Sequence, residues 1–212
     1  SPVQCPRCSQ IPKWQIHHHA MSALIKGIKE ANPDAELISW LYQPQPVTER
    51  AAWTTELARN LPQDVILQYN FESGACKKQL SRARLGGDYW LSYVGPSHSF
   101  SRIAEGVTNA QGELSAKIQV GCSHEVATVP FVSVPGLLFQ KYQAMKKHGC
   151  RHVMQCWYFG NYPGIMNRAA GMLAFSDLQE TEQEFLVELA RPQWGKHAET
   201  VASAWRLFSE AY

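Results

Sequence analysis

Ala31-Asn32-Pro33-Asp34-Ala35-Glu36-Leu37-Ile38-Ser39-Trp40-Leu41-Tyr42 is the stretch on which the fold turns. Upstream of it, Trp14, Met21, Leu24, Ile25 and Ile28 recur at helical spacing, predicting a helix over 14–31 with Met21, Leu24 and Ile28 inward. Pro33 ends that helix, because proline lacks the N–H and restricts the residue before it. Residues 37–42 then read as a strand, closed by Gln43-Pro44-Gln45-Pro46. Thr48 is placed to cap a second helix that runs through Ala51, Leu57 and Ala58 to about Asn60. After the turn Leu61-Pro62-Gln63-Asp64, the run Val65-Ile66-Leu67-Gln68-Tyr69-Asn70-Phe71 is a second strand. Helix, strand, helix, strand at this spacing implies parallel strands joined by crossover helices.

The pattern continues downstream. The stretch from Glu72 to about Gln111 is less regular, with a short extra strand or an ordered loop at 88–94 and a short helix near 100–107. A third clear strand is expected at 116–122. Pro135 opens a helix that carries Leu137, Leu138, Tyr142 and Met145 up to Lys147, and His148-Gly149 ends it. A fourth strand runs from Arg151 to Trp157. Beyond Gly160-Asn161-Tyr162-Pro163-Gly164 the chain reads as helical, with Val201, Trp205, Phe208 and Tyr212 marking one face of the last helix. The whole of 1–212 is read as a single domain of TIM-barrel type with a C-terminal helical extension over about 178–212.

An open doubly wound sheet would announce itself with a glycine-rich phosphate turn after its first strand. Tyr42-Gln43-Pro44-Gln45-Pro46 is the opposite, and neither GxGxxG nor GxxxxGK[ST] occurs. The strand ends carry aromatics, amides and carboxylates instead: Tyr42, Asn70 and Glu72, His124 and Glu125, Trp157 and Asn161. C-terminal strand ends form the active face of a (β/α)8 barrel. Rings there stack on the C–H faces of sugars while amides and carboxylates bond their hydroxyls, so the expected fold is a barrel that handles carbohydrate. A net charge of +2 offers no phosphate-neutralising face, which argues against nucleic acid. No apolar run reaches the ~20 residues that span a bilayer, so a soluble chain is expected. The compartment is left open, since the chain starts on Ser1-Pro2 and a targeting segment upstream would not be seen.

Glycoside hydrolysis needs two carboxyl groups flanking the bond, about 5–5.5 Å apart for retention and about 6.5–9.5 Å for inversion. Glu125, just past the third strand with His124 beside it, is the first candidate, and Glu72 in Asn70-Phe71-Glu72-Ser73-Gly74 is the second. Each is equally readable as a capping or salt-bridging loop residue. Asp88, after Gly86-Gly87, reads as a turn former or a sugar-binding carboxylate. Trp157 and Tyr162 are candidate walls for a sugar ring, with Tyr42, Asn70, His124 and Asn161 as further contacts. Cys5-Pro6-Arg7-Cys8 is half of a zinc site, for which His17, His18, His19 or Cys76 would have to supply the remaining ligands. Otherwise the two thiols lie in a plain N-terminal loop. No other cofactor is expected, and the six cysteines are read as reduced.

Cys5-Pro6-Arg7-Cys8, the helix end at Ala31-Asn32-Pro33-Asp34-Ala35 and the strand with Trp40-Leu41-Tyr42 resemble the middle of bacterial hexosaminidase-like (β/α)8 barrels related to glycoside hydrolases. Ser123-His124-Glu125-Val126-Ala127-Thr128-Val129-Pro130 and Trp157-Tyr158-Phe159-Gly160 are similar to the seventh and eighth strand ends of such proteins. The resemblance implies that the four strands are barrel strands five to eight, and that the general acid of the fourth strand would lie before Ser1. A half barrel leaves its outer strands unpaired, so the remainder of a longer chain or a second copy in a homodimer would complete it. Two further readings stay open: a non-catalytic carbohydrate-binding or structural barrel fragment, and a metal-stabilised interaction module centred on Cys5 and Cys8.

Overall fold

The asparagine–proline step does end the first helix: α1 spans Lys13–Ala31, and the Asn32 N–H closes it onto the Ile28 carbonyl. The structure is a computed structural model that describes residues 5–42, 52–79, 81–85, 88–121, 125, 129, 132–156 and 164–212. Met21 and Ile25 are the buried residues of α1. Leu24, expected inward, is 58% exposed. At about 100° per residue it lies some 60° from Met21 on the side away from Ile25, and so falls outside the buried stripe.

Four strands follow the helical segments into one sheet: β1 (Leu37–Leu41), β2 (Val65–Asn70), β5 (Glu113–Gln119) and β6 (His152–Cys156). All neighbours are parallel, in the order β1-β2-β5-β6, so the strands sit side by side in chain order with no reversal. Between them run α2 (Ala52–Arg59), α3 (His98–Asn109) and α4 (Pro135–Lys147); α5 (Ile165–Ala174), α6 (Glu182–Trp194) and α7 (Ala198–Ala211) complete the chain. The third strand begins three residues before its expected start at 116. The positive-φ turn at Gln111 releases the chain into pairing at Glu113.

Alternation sorts the sheet into two faces. Leu41, Val65, Leu67, Tyr69, Leu114, Ala116 and Ile118 join one apolar cluster with Met21 and Ile25 of α1, Leu57 of α2, Phe100 and Ile103 of α3, Leu138 of α4 and Leu173 of α5. Crossovers of one hand in a monotonic strand order place their helices on one side, and the membership of this cluster agrees. The other face is mainly polar: Trp40 on β1, Gln68 and Asn70 on β2, Ser115, Lys117 and Gln119 on β5, His152 and Met154 on β6. Ile66 lies on it too, buried yet outside the apolar cluster.

The region 72–97 departs from the sequence reading. Cys76–Gln79 (β3) and Arg82–Leu85 (β4) form an antiparallel hairpin turning at Ser81. Residues 88–97 form an ordered irregular segment, resolving the alternative between strand and loop in favour of the loop. Its end is tied to the sheet by the Ser97 N–H on the Phe71 carbonyl at 2.9 Å, and Ser97 then caps α3 through Phe100 N. Gly95, at φ +85°, passes so close to the Phe71 ring that a Cβ would sit 2.6 Å from it.

At the C-terminus Thr181 and Glu184 form a capping box that starts α6, and α6 packs on α7 and on α4. Trp205 is buried as expected, but the rest of its face is Ala198, Ala202 and Ser209. Phe208 is 55% exposed, because a spacing of three from Trp205 carries it to the margin while Ser209, at four, stays beneath.

Candidate functional site

The C-terminal ends of β1, β2 and β5, with segment 88–97 laid over them, gather the polar face into one constellation. Asn70, the last residue of β2, accepts a hydrogen bond on Oδ1 from Trp40 Nε1 at 2.8 Å. The Trp40 and Tyr42 rings meet at 4.8 Å and 52°, and the hydroxyls of Tyr42 and Tyr89 are 2.6 Å apart. Tyr42 is 47% exposed, while Tyr89 is buried beneath it. Burial, followed by the hydrogen bond to Tyr42, pushes the Tyr89 phenol well above its ordinary range.

Two buried lysines stand behind these rings, in different company. Lys141, from α4, has no exposed surface; its ammonium contacts Glu72 Oε1 at 2.7 Å and donates to the carbonyls of Trp90, at 3.0 Å, and Tyr93. Glu72 Oε1 also accepts the Gln119 backbone N–H at 3.1 Å. The pair thereby pins segment 88–97 to the ends of β2 and β5. Lys117, on β5, donates to the Asp88 carbonyl and lies 3.8 Å from the centre of the Tyr89 ring. Burial pulls Lys117 below the ordinary lysine range, opposed by Glu72, Cys156 and Asp88 and reinforced by Lys141.

Glu125 holds the same segment from another side. Its carboxylate accepts the Ser92 N–H at 3.1 Å, the Ser92 hydroxyl, and the Tyr212 hydroxyl at 3.3 Å, while Lys77 donates to the Ser92 carbonyl at 3.2 Å. At this end of the sheet Asn70 Nδ2, Glu72 Oε2 and Asp88 Oδ1 are buried with no hydrogen-bond partner among the described residues. Their residues are 1%, 0% and 5% exposed. A donor and two acceptors left unsatisfied at such burial each cost about 1–3 kcal/mol unless something fills them. A bound hydroxyl, which both donates and accepts, is the simplest group that serves both kinds of need.

The sequence-predicted residues Tyr42, Asn70, Glu72, Asp88 and Glu125 are thus gathered at the sheet's C-terminal end. His124, Trp157, Asn161 and Tyr162 lie outside the described residues. The sequence reading passed over Lys117, Lys141, Tyr89 and Ser92. Lys117 had a signal: it is a charge on the polar alternation of a strand whose other face carries Leu114, Ala116 and Ile118. Lys141 had one too, standing at an apolar position of its helix between Leu138 and Met145.

The Cys5-Pro6-Arg7-Cys8 turn places its two thiols in contact. The backbone N–H groups of Cys8 and then Arg7 hold the Cys5 thiol below its ordinary range, and Cys5 raises Cys8. Among the described residues no group of three or more metal-ligating side chains occurs. His17 stacks on Trp53 at 4.7 Å and His18 Nδ1 lies 2.7 Å from the Asn60 carbonyl, so both face α2. The donors in place supply two zinc ligands of the four that a structural site takes. Cys5, Cys8, Cys76 and Cys150 are free thiols. No helix among the described residues is long and apolar enough to cross a membrane.

The chain defines an α/β protein with a four-stranded parallel sheet and a polar, partly roofed site at the strand ends. Comparison with protein-family models, with curated proteins and with solved structures gave no match in any of the three.

Proposed function

We propose that the strand ends of β1, β2 and β5 bind a carbohydrate, and that the sheet is half of a (β/α)8-type barrel related to glycoside hydrolases. The observation that carries the binding reading is the set of buried unpartnered atoms on Asn70, Glu72 and Asp88 beside the half-exposed aromatic pair Trp40 and Tyr42. Hydroxyls satisfy the former and sugar C–H faces stack on the latter. The barrel reading is supported by the monotonic order of parallel strands, by helices on one face, and by the polar groups collecting at the C-terminal strand ends. On this reading the outer edges of β1 and β6 pair with the rest of a longer chain or with a second copy in a homodimer. A structural zinc on Cys5 and Cys8, completed by two ligands beyond the described residues, is a separate proposal for the N-terminal turn.

Hydrolysis is the second reading, favoured by the one carboxylate oxygen of Glu72 that no described group engages. Binding stands ahead of it because the Glu125 carboxylate and the other Glu72 oxygen already hold segment 88–97. Tyr42→Ala tests recognition with little risk to folding, given the exposure of the ring. Loss of a stacking ring is expected to weaken oligosaccharide binding about 5- to 150-fold in calorimetry, on the order of 1–3 kcal/mol. Unchanged affinity across a glycan panel that the parent protein binds, or a parent that binds none, would overturn the proposal. Turnover of aryl glycosides abolished in both Glu125→Gln and Glu72→Gln, with binding retained, would move hydrolysis to first place.

A further inference from the structure

Lys117 has no role in the carbohydrate reading, yet it is a buried ionisable group without an ion pair among the described residues. It sits on a central strand, fully buried, on the polar face of the sheet. Lys141 shows how this fold accommodates a buried ammonium: a carboxylate at 2.7 Å and two carbonyls use all three of its donors. Lys117 has no ion pair among the described residues and a single hydrogen-bond acceptor, the Asp88 carbonyl, with the face of Tyr89 as its other contact. A ring face stabilises an ammonium by about 0.5–2 kcal/mol, less than removal from water costs it. The amine is therefore held toward its neutral, nucleophilic form.

We infer that Lys117 is a nucleophilic amine that forms a Schiff base with a small aldehyde or ketone admitted beneath segment 88–97. The surroundings favour a neutral carbonyl compound over an anion. The carboxylates of Glu72 and Asp88 both act on the Lys117 ammonium, each with an oxygen that no described group engages, and they would repel an arriving negative charge. The same carboxyl groups are placed to carry the protons of the reaction. The Lys117 Nζ lone pair adds to the carbonyl carbon while the C=O π pair moves to oxygen, and one proton passes from nitrogen to that oxygen. A neighbouring carboxylate that has taken the proton released when the Lys117 ammonium becomes the amine gives it to the resulting hydroxyl, which leaves as water while the nitrogen pair forms the C=N bond. The iminium returns its proton to the carboxylate, so one amine and one carbonyl give an imine and water with no change in oxidation level.

Access is the structural condition, and the segment over Lys117 is built to meet it. Residues 88–93 are held by side chains of Lys117, Lys141, Lys77 and Glu125 reaching its backbone groups rather than by a partner strand. A segment pegged at separate points opens locally at lower cost than a strand zipped into the sheet.

The test is reductive trapping of the full chain with glycolaldehyde and borohydride at neutral pH, followed by peptide mapping of every lysine. Hydride reduces the imine, leaving an adduct of the probe's mass less one oxygen. Lys117 is expected to label faster than exposed Lys26 and Lys147, since burial with a single acceptor favours its neutral amine. Lys141, which burial also pulls below the ordinary lysine range but whose three donors are all engaged, is expected to stay unlabelled. Lys117→Arg keeps a cation and removes the nucleophile, and should abolish only the fast adduct. Labelling of Lys117 no faster than Lys26, or as slow as Lys141, would overturn the inference. No lysine variant is needed for that comparison, and no glycan enters it, so its outcome is independent of whether the strand ends bind sugar.

Discussion

Lys141→Met is the perturbation that most directly probes how the site is held together. Methionine has nearly the length and volume of the lysine stem, so it fills the space and removes the charge. What it leaves is a Glu72 carboxylate with no exposed surface, one oxygen still facing the Gln119 N–H and the other without a described partner, together with the Trp90 and Tyr93 carbonyls stripped of a donor. Breaking one side of a buried pair costs about 3–5 kcal/mol, because an uncompensated charge remains in a poorly polarisable interior. For a chain of this size that is a fall in midpoint temperature of roughly 6–20 °C. Glu72→Gln/Lys141→Met removes both charges, and the double variant should recover part of the loss, with a coupling of about 1–3 kcal/mol. Urea unfolding followed by both tryptophan fluorescence and far-ultraviolet circular dichroism measures each corner of the cycle. The reasoning is refuted if Lys141→Met costs less than about 1 kcal/mol, or if the double variant loses the full sum of the two single ones.

Gly106 on α3 approaches α2 so closely that an added Cβ would lie 2.9 Å from Ala58 Cβ and 3.3 Å from the Arg59 backbone nitrogen. Gly106→Ala should therefore destabilise the protein by about 1–3 kcal/mol in the same urea assay, despite alanine's better helix propensity; a stabilised variant would show that the two helices have room to separate. The thiols should divide sharply toward iodoacetamide. Exposed Cys5, with its thiolate favoured by the Cys8 and Arg7 N–H groups, reacts first, while Cys150, whose thiol burial pushes up to about 12, reacts only on unfolding. Protection of both Cys5 and Cys8 that a chelator relieves, with about one zinc per chain by elemental analysis, would instead show the metal in place.

The four parallel strands were legible because each is a short apolar run between strong stops, and because a helical period of useful length separates each pair. The hairpin of β3 and β4 was not legible: Cys76-Lys77-Lys78-Gln79 and Arg82-Ala83-Arg84-Leu85 carry neither an apolar alternation nor a glycine turn, and the φ of +62° falls on Ser81. Segment 88–97 shows a different limit. Asp88-Tyr89-Trp90-Leu91-Ser92-Tyr93-Val94 is rich in residues that favour strands, and Leu91 is fully buried. Its main-chain groups are nevertheless met by side chains 15 to 51 residues away: Lys77 and Glu125 on Ser92, and Lys141 on Trp90 and Tyr93. Local propensity gives no hint of partners that arrive from another helix and another loop.

The same contrast separates the parts of the site. Tyr42, Asn70 and Glu72 could be placed from sequence because a strand's end is visible in the residues that follow it, and parallel strands bring their ends together. The role of Glu72 could not be, because it depends on Lys141, a residue of α4 distant in sequence. A carboxylate at a strand end reads alike whether it meets a substrate or an ammonium, and only the packing of α4 against the sheet decides. Here it decides for one oxygen of the two: Oε1 is committed to Lys141 and the Gln119 N–H, and Oε2 stays buried without a described partner. One oxygen therefore keeps the fold closed over the site, and the other is the atom on which recognition, hydrolysis or proton transfer to Lys117 would act.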